Sequence, residues 1–191
     1  MNYLAHLFLA RPGAELLLGN LAGDFVKGRL GDEFTPGIRA GIVQHRRIDE
    51  FTDTHPEVGA FRRIVAAEHG HYARVICDMF FDHFLACDWS EYSTESLDEF
   101  LRRVYATLDP HAAAMPGRLR VVYPIMRDQG WLESYADVRG IEGALRGLSR
   151  RFSRQIRLDT AVHFLRDDGR ETLRAHFRQF FPAAIDYAKT L

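Results

Sequence analysis

One short segment carries an imidazole and two carboxylates at four-residue spacing: His45, Asp49 and Asp53. Side chains four residues apart on a helix lie on one face, with their Cβ atoms about 5–6 Å apart. Two guanidinium groups, those of Arg46 and Arg47, flank this line. Such groups can hold a divalent cation and a phosphate together. The segment is therefore our first candidate for a site of phosphate chemistry.

A second acidic cluster lies in an apolar stretch of the chain. Asp78 and Asp82 are four residues apart, and His83 follows Asp82 directly. Because buried carboxylates are costly unless they are paired or coordinate a metal, this cluster favours a metal site. Pairing of Asp78 with Arg74 is the structural alternative.

Two N-terminal segments add ligands of the same kind. His6 lies in an otherwise apolar stretch, and Asn20 and Asp24 are four residues apart beside glycines. Each also has a structural alternative: His6 as a hydrogen-bonded core histidine, Asp24 as a turn or cap, and Asn20 as a partner of backbone groups. The predicted metal ligands are His6, Asp24, His45, Asp82 and His83. Nitrogen and oxygen donors without thiolates fit an ion such as Mn²⁺, Fe²⁺ or Mg²⁺ better than a structural zinc.

The composition is that of a soluble globular protein, and the length of 191 residues predicts one compact domain spanning residues 1–191. The formal net charge of −1 gives no indication of nucleic-acid binding. Cys77 and Cys87 are ten residues apart, too far along a helix to form a disulfide, so we expect a reducing, cytoplasmic setting. We expect neither a signal peptide nor a membrane span.

Apolar residues recur at three- and four-residue steps almost throughout, and no long alternating pattern predicts a strand. We therefore predict an all-α domain of roughly seven to nine helices. One helix is predicted over 97–108, with its N-cap in the region 93–95. Helix ends are predicted at the proline- and glycine-containing breakers, among them Phe181-Pro182.

A second helical pattern runs from Ile141 to Ile156 and carries a row of arginines on a separate face. No acidic residue lies between Arg146 and Leu158 to neutralise this row. Arginine suits carboxylates and phosphates, so the row is a candidate docking strip for an acidic protein, with a merely solvated face as the alternative. The predicted partner-binding residues are Arg146, Arg150, Arg151, Arg154 and Arg157.

Taken together, these residues resemble the bacterial acyl carrier protein phosphodiesterase family over essentially the full length. Each motif is weak by itself, whereas their order and spacing are specific. The segments that carry the resemblance are 1–7, Gly19-Asn20 with Asp24-Phe25-Val26, 45–49 with Thr52-Asp53, Asp82-His83-Phe84-Leu85 followed by Trp89-Ser90, Ser149-Arg150-Arg151 and 177–182.

The resemblance implies removal of the 4′-phosphopantetheine arm from a carrier-protein serine. It also implies an all-helical relative of the HD-domain metal phosphohydrolases that prefers Mn²⁺. In this chain the adjacent pair is Asp82-His83, in reverse order, and no His-Asp dipeptide occurs. The implied partner is acyl carrier protein, with no nucleic acid or membrane.

Hydrolysis of such a diester needs an activated water, charge neutralisation on the phosphate and a proton for the serine oxygen, and a metal can supply the first two. We predict catalytic roles for Asp24, Asn20, Arg46, Asp49 and Asp78. Arg46 would clamp the phosphate, while Asp49 and Asp78 would orient imidazoles or bridge a second ion.

Two other functions fit the same residues. One is a metal phosphohydrolase that acts on a nucleotide such as a guanosine polyphosphate, since arginines also bind nucleotide phosphates. The other is a non-catalytic helical adaptor for an acidic protein, with its carboxylates and histidines engaged in salt bridges.

Overall fold

The computed structural model describes residues 1–150, 152, 156–167 and 169–191, and these residues form helices and connecting turns with no strand. The all-α prediction is therefore confirmed. The α-helices of the described ranges are α1 (Tyr3–Leu9), α2 (Ala14–Ala22), α3 (Pro36–Thr54), α4 (Pro56–His69), α5 (Ala73–Cys87), α6 (Trp89–Tyr92), α7 (Leu97–Leu108), α8 (Leu119–Asp128), α9 (Trp131–Ser134), α10 (Val138–Ser149) and α11 (Gly169–Lys189). Short 3-10 segments cover Gly23–Phe25, Gly70–Tyr72, Asp109–Ala114 and Leu158–Leu165. The predicted number of helices was too low because α6 and α9 are single turns of four residues.

The helix ends follow local chemistry in most places. Thr35 caps α3 by accepting a hydrogen bond from the Ile38 amide at 3.3 Å, and Pro36 occupies the first helical position. Helix α7 has the predicted bounds, but its N-cap is Ser96, which lies after the predicted cap region. Ser96 and Glu99 form a capping box, in which each side chain accepts from the other residue's backbone amide.

The predicted helix end at Pro182 is wrong. Helix α11 continues through this proline to Lys189. Proline removes one backbone donor and crowds the preceding turn, but the neighbouring Phe177, Phe180 and Phe181 are fully buried. Packing of this aromatic face against the core therefore outweighs the local cost of the proline.

Helices α2 and α3 are in close backbone contact, and this contact positions much of the site described below. A Cβ atom added to Gly19 would lie 2.1 Å from the Ile38 carbonyl oxygen, and one added to Gly41 would lie 2.3 Å from that of Leu16. Only glycine permits so short a separation. As a result, the end of α2 lies directly against the middle of α3.

Helix α5 lies at the centre of the core and contacts α1, α4, α10 and α11. Most of its side chains are buried, which explains its apolar sequence. Its cysteine, Cys77, is buried and free, and Cys87 at its end is exposed and free, as the spacing predicted. No helix of the described ranges has the length and apolarity needed to cross a bilayer.

The predicted helix from Ile141 to Ile156 is too long, because α10 ends at Ser149. The Ser149 hydroxyl donates to the Leu145 carbonyl oxygen at 2.8 Å and accepts from the Leu158 amide at 3.0 Å. This second bond ties the 3-10 segment that begins at Leu158 to the end of α10, and the two elements pack together. Two residues of the predicted arginine row, Arg151 and Arg154, lie outside the described residues.

Candidate functional site

Three side chains from two helices meet at one point of the molecule. His6 of α1 places its Nε2 atom 3.0 Å from Asp49 Oδ1, and His45 of α3 places its Nε2 atom 3.3 Å from Asp49 Oδ2. Asp24, from the 3-10 turn after α2, lies 3.7 Å from His45 Nε2. We call His6, Asp24, His45 and Asp49 the His–Asp cluster.

The orientation of the His45 ring is fixed by a hydrogen bond on the side away from the carboxylates. Its Nδ1 atom lies 2.9 Å from the backbone oxygen of Asn20. A carbonyl oxygen can only accept, so Nδ1 carries a proton and Nε2 points at the two carboxylates. The Asn20 side chain donates to Gln44 at 2.9 Å, and its Oδ1 atom is buried without a partner among the described residues. Asn20, which we predicted as catalytic, therefore contacts Nδ1 of His45 through its backbone oxygen.

His6 and His45 are stacked face to face, with ring centroids 3.7 Å apart. His6 is almost fully buried, and its Nδ1 atom has no hydrogen-bond partner among the described residues. Unpartnered buried polar atoms are rare in native proteins. The cluster therefore holds an imidazole whose hydrogen-bonding capacity the described protein groups leave incomplete.

The charges of the His–Asp cluster favour a positively charged group at its centre. Burial lowers the pKa of His6 to about 4, and repulsion from His45 acts in the same direction. Burial also opposes charge on His45, but hydrogen bonds to Asp24 and Asp49 outweigh it and raise its pKa to about 9. Burial acts to raise the pKa of Asp49, yet the two histidines hold it well below its ordinary range. Two carboxylates thus share one positively charged imidazole.

A cavity of about 220 Å³ opens onto the cluster. Its lining residues are Gly23, Asp24, Val26, Lys27, Gly28, His45, Arg46 and Asp49. Arg46 donates to the Val26 carbonyl oxygen at 3.0 Å, which fixes its guanidinium at the wall. Neither Arg46 nor Lys27 forms an ion pair with another described residue, so both cations are available to an anion. Sequence reasoning missed Lys27, which lies three residues after Asp24 and directly before Gly28.

Asp78 lies beside the cluster rather than within it. Its Oδ1 atom is 3.0 Å from the amino group of Met1, and this group is 3.5 Å from Asp49 Oδ1. The pairing of Asp78 with Arg74 that we considered is absent from the described contacts. Arg74 instead pairs with Asp53 at 2.5 Å, which takes Asp53 away from the line of His45 and Asp49.

The structure does not bring Asp82 and His83 into the His–Asp cluster. The two oxygens of Asp82 accept the backbone amides of Leu4 and Ala5 at 2.8 and 3.1 Å, at the start of α1. His83 points the other way, with Nδ1 at 2.7 Å from the Tyr135 carbonyl oxygen. Two predicted metal ligands are thus engaged in hydrogen bonds to the backbone.

The predicted arginine strip is partly neutralised within the chain. Arg146 pairs with Glu142 at 2.7 Å and lies 3.6 Å from Asp159, while Arg157 pairs with Asp159 at 3.1 Å. Our expectation that no acidic residue neutralises the row was therefore wrong for Arg146 and Arg157, because Glu142 lies one turn earlier on α10 and Asp159 packs against both arginines. Arg150 is exposed and forms no ion pair with another described residue.

The donor set of the His–Asp cluster fits a divalent cation. Ligand atoms of His6, His45 and Asp49 lie within 4.8 Å of one another, and Asp24 adds a carboxylate on the open side. A histidine that donates its Nδ1 proton to a backbone carbonyl, as His45 does, has the orientation typical of a metal-ligating imidazole. Two imidazoles and two carboxylates without a thiolate suit manganese, iron or zinc at a reactive site.

Fold and site together define an all-helical protein with buried histidines and half-exposed aspartates at one point of its surface. The family described as acyl carrier protein phosphodiesterase has a model that matches residues 1–184. The chain belongs to this acyl carrier protein phosphodiesterase family, which confirms the resemblance and the expectation of an enzyme.

Curated relatives span nearly the whole chain. The acyl carrier protein phosphodiesterase of Serratia proteamaculans is 37% identical over 192 residues, covering 99% of this chain and 98% of the relative. That of Yersinia enterocolitica is 34% identical over 190 residues, with the same coverage. That of Escherichia coli O139:H28 is 36% identical over 192 residues, covering 98% and 97%. No solved structure matches this chain.

Proposed function

We propose that this protein hydrolyses the phosphodiester that joins 4′-phosphopantetheine to a serine of acyl carrier protein, releasing the apo carrier protein and 4′-phosphopantetheine. The proposal includes a divalent cation, Mn²⁺ first, held by His6, Asp24, His45 and Asp49. Family membership supports the reaction class. The observation that supports the rest is that the His–Asp cluster meets two cations, Lys27 and Arg46, in one cavity, and neither cation pairs with a carboxylate of the described ranges.

The residues of the cavity have distinct tasks in this reaction. Arg46 and Lys27 bind the non-bridging oxygens of the phosphate, and the bond from Arg46 to the Val26 carbonyl oxygen holds its guanidinium in place. A bound cation supplies Lewis-acid stabilisation of the phosphate and a lowered pKa for water. Asp24 is the most exposed member of the cluster, at 41% of its side chain, and this exposure supports the proposal that it accepts a proton from the attacking water.

Mass spectrometry of the carrier protein tests the reaction. Purified enzyme with Mn²⁺ and holo carrier protein should give a carrier protein that has lost one 4′-phosphopantetheine group. Replacement of His45 by Ala or Asp49 by Ala should lower the rate at least about 100-fold, because each side chain contacts the others in the cluster. His163→Ala is the matched control, since His163 is half-exposed and pairs with Glu68 at 3.3 Å, which is not a member of the cluster.

Thermal unfolding tests the cation separately from turnover. Mn²⁺ should raise the melting temperature of the wild-type protein, because a ligand that binds only the folded state stabilises it. The rise should vanish in His45→Ala and persist in His163→Ala. Absence of both metal binding and turnover would instead favour a helical adaptor, and cleavage of a guanosine polyphosphate with intact holo carrier protein would favour the nucleotide phosphohydrolase.

A further inference from the structure

A second cavity lies next to the His–Asp cluster and is larger than the first, at about 400 Å³. We call it the aromatic groove, and its lining residues are His71, Tyr72, Arg74, Val75, Asp78 and Phe152. Tyr72 and Phe152 meet edge to face, with ring centroids 5.2 Å apart. Phe152 is 39% exposed, so a ligand can reach its ring. The groove therefore presents an accessible apolar floor.

The groove and the cluster are joined through one carboxylate pair. Asp78 lines the groove, Asp49 lines the cavity at the cluster, and the amino group of Met1 contacts both carboxylates. Asp78 and Asp49 are 26% and 32% exposed, so a ligand can approach both side chains. The two cavities are therefore neighbours, with the ion pairs of Met1, Asp49 and Asp78 between them.

The chemistry of the two cavities differs. Lys27 and Arg46, which form no ion pair with another described residue, line the cavity at the cluster and suit a phosphate. The groove has an aromatic and aliphatic floor, while the cation on its rim, Arg74, is already paired with Asp53 at 2.5 Å. A groove of this kind suits an uncharged, partly apolar chain with a few amide groups rather than a second anion.

We propose that the aromatic groove receives the pantetheine arm of the substrate, while the phosphate lies at the His–Asp cluster. This inference rests on the proposed function. Tyr72, Val75 and Phe152 contact the dimethyl and methylene groups of the arm, and His71 on the rim is placed to bind an amide. The groove therefore determines which phosphodiesters are accepted, since an ester without the arm leaves its apolar floor empty.

Binding of free pantetheine, which lacks the phosphate, tests the groove without catalysis. Saturation-transfer NMR should show pantetheine bound to the wild-type protein. Val75→Trp fills the groove and should abolish that signal, whereas Val121→Trp, the same change at a valine 63% exposed on α8, should retain it. Melting temperatures of both variants establish that they fold. Equal pantetheine signals in the two variants, or none with the wild type, would overturn the inference.

Kinetics with holo carrier protein complete the test. Val75→Trp should raise KM about tenfold, which corresponds to about 1.4 kcal/mol of binding. Val121→Trp should leave KM unchanged. If holo carrier protein is not cleaved while pantetheine still binds in a manner sensitive to Val75, the proposed function fails and the assignment of the groove stands. If holo carrier protein is cleaved with the same KM by both variants, only the groove assignment fails.

Discussion

At the scale of single residues, the site depends on a glycine, Gly23, because a larger residue there would collide with His45. A Cβ atom added to Gly23 would lie 2.2 Å from Cγ of His45, well inside van der Waals contact. The ring of His45 is also fixed from behind by the Asn20 carbonyl oxygen, at 2.9 Å. It therefore cannot retreat without breaking that bond, and Gly23 is part of what places Nε2 against the carboxylates.

Gly23→Ala is expected to displace His45 and to lower turnover of holo carrier protein at least about 100-fold, because small misplacements of a reacting group are costly. The rise in melting temperature with Mn²⁺ should shrink in parallel. Gly143→Ala provides the comparison, since a Cβ there meets nothing within 4 Å and alanine favours a helix by about 0.5–1 kcal/mol. Wild-type activity in Gly23→Ala would show that the ring can move without consequence.

Residue spacing predicted part of this geometry. The four-residue step from His45 to Asp49 placed both side chains on one face of α3, and they are 3.3 Å apart. Lys27 was missed because its proximity to the cluster depends on how the loop after α2 folds. Asp82 was misassigned because the apolar sequence around it predicted burial, and burial is common to a metal ligand and to a carboxylate that caps a helix.

At the scale of helices, Asp82 joins α5 to α1. Helix α1 has seven residues, and the side chain at its N-cap, Asn2, makes no capping bond. The carboxylate of Asp82 reaches across from α5 and accepts two amides of the first turn. These are the donors that a helix start leaves unpaired. Because His6 lies in the same short helix, this distant cap also holds one member of the His–Asp cluster in position.

Asp82→Ala should therefore destabilise the protein by about 3 kcal/mol, since it leaves buried amides of α1 without an acceptor. Urea unfolding would measure this loss. Asp82→Asn retains one side-chain oxygen and should lose less stability while keeping the rise in melting temperature with Mn²⁺. Loss of that rise in Asp82→Asn, with stability intact, would point to a ligand rather than a cap.

Periodicity predicted the helical class and the bounds of α7, because an amphipathic face and a local cap both lie within a few residues. The same reasoning wrongly extended α10 past Ser149 and wrongly ended α11 at Pro182. Both errors have one cause: contacts between distant segments decide these ends. The bond from Leu158 to Ser149 and the burial of Phe181 were not readable from local sequence.

At the scale of the whole molecule, one buried aspartate ties the centre of the chain to its last helix. The side chain of Asp88, at the end of α5, is fully buried and accepts from Arg174 at 3.0 Å and Arg178 at 2.9 Å, both on α11. Burial opposes its charge, but the two arginines hold the pKa of Asp88 below its ordinary value. Arg178 also pairs with Glu91.

This pairing predicts an acid-sensitive contribution to stability. A carboxyl group whose pKa is lowered by folding stabilises the protein above its unfolded pKa, and this stability is lost as pH falls through the folded value. Asp88→Asn should therefore cost about 2 kcal/mol at neutral pH, with a difference from wild type that shrinks below about pH 4. Urea unfolding at pH 7 and pH 3 measures the loss of stability at neutral pH and its decrease in acid. Asp186→Asn, in an exposed pair with Lys189, should show no difference at either pH.

The arginine row shows why surface charge was harder to predict than fold. The segment after Arg146 lacks acidic residues, but Glu142 precedes it on α10 and Asp159 follows in the 3-10 turn. The hydrogen bond from the Leu158 amide to the Ser149 hydroxyl holds this turn at the end of α10, and Asp159 lies against Arg146 and Arg157. Net local charge is therefore a property of the folded surface, because Asp159 contributes to it from beyond the segment between Arg146 and Leu158.

The unequal exposure of the His–Asp cluster has a practical consequence. His6 and His45 are 1% and 4% exposed, whereas Asp24 and Asp49 are 41% and 32% exposed, so the carboxylates form the mouth and the imidazoles the floor. An ion would enter and leave past the aspartates without any helix opening. Occupancy of the proposed ion site would follow the free-ion concentration of the surrounding buffer. Protein stripped of the ion by a chelator would regain it on dialysis against a buffer that contains the ion, with no refolding step.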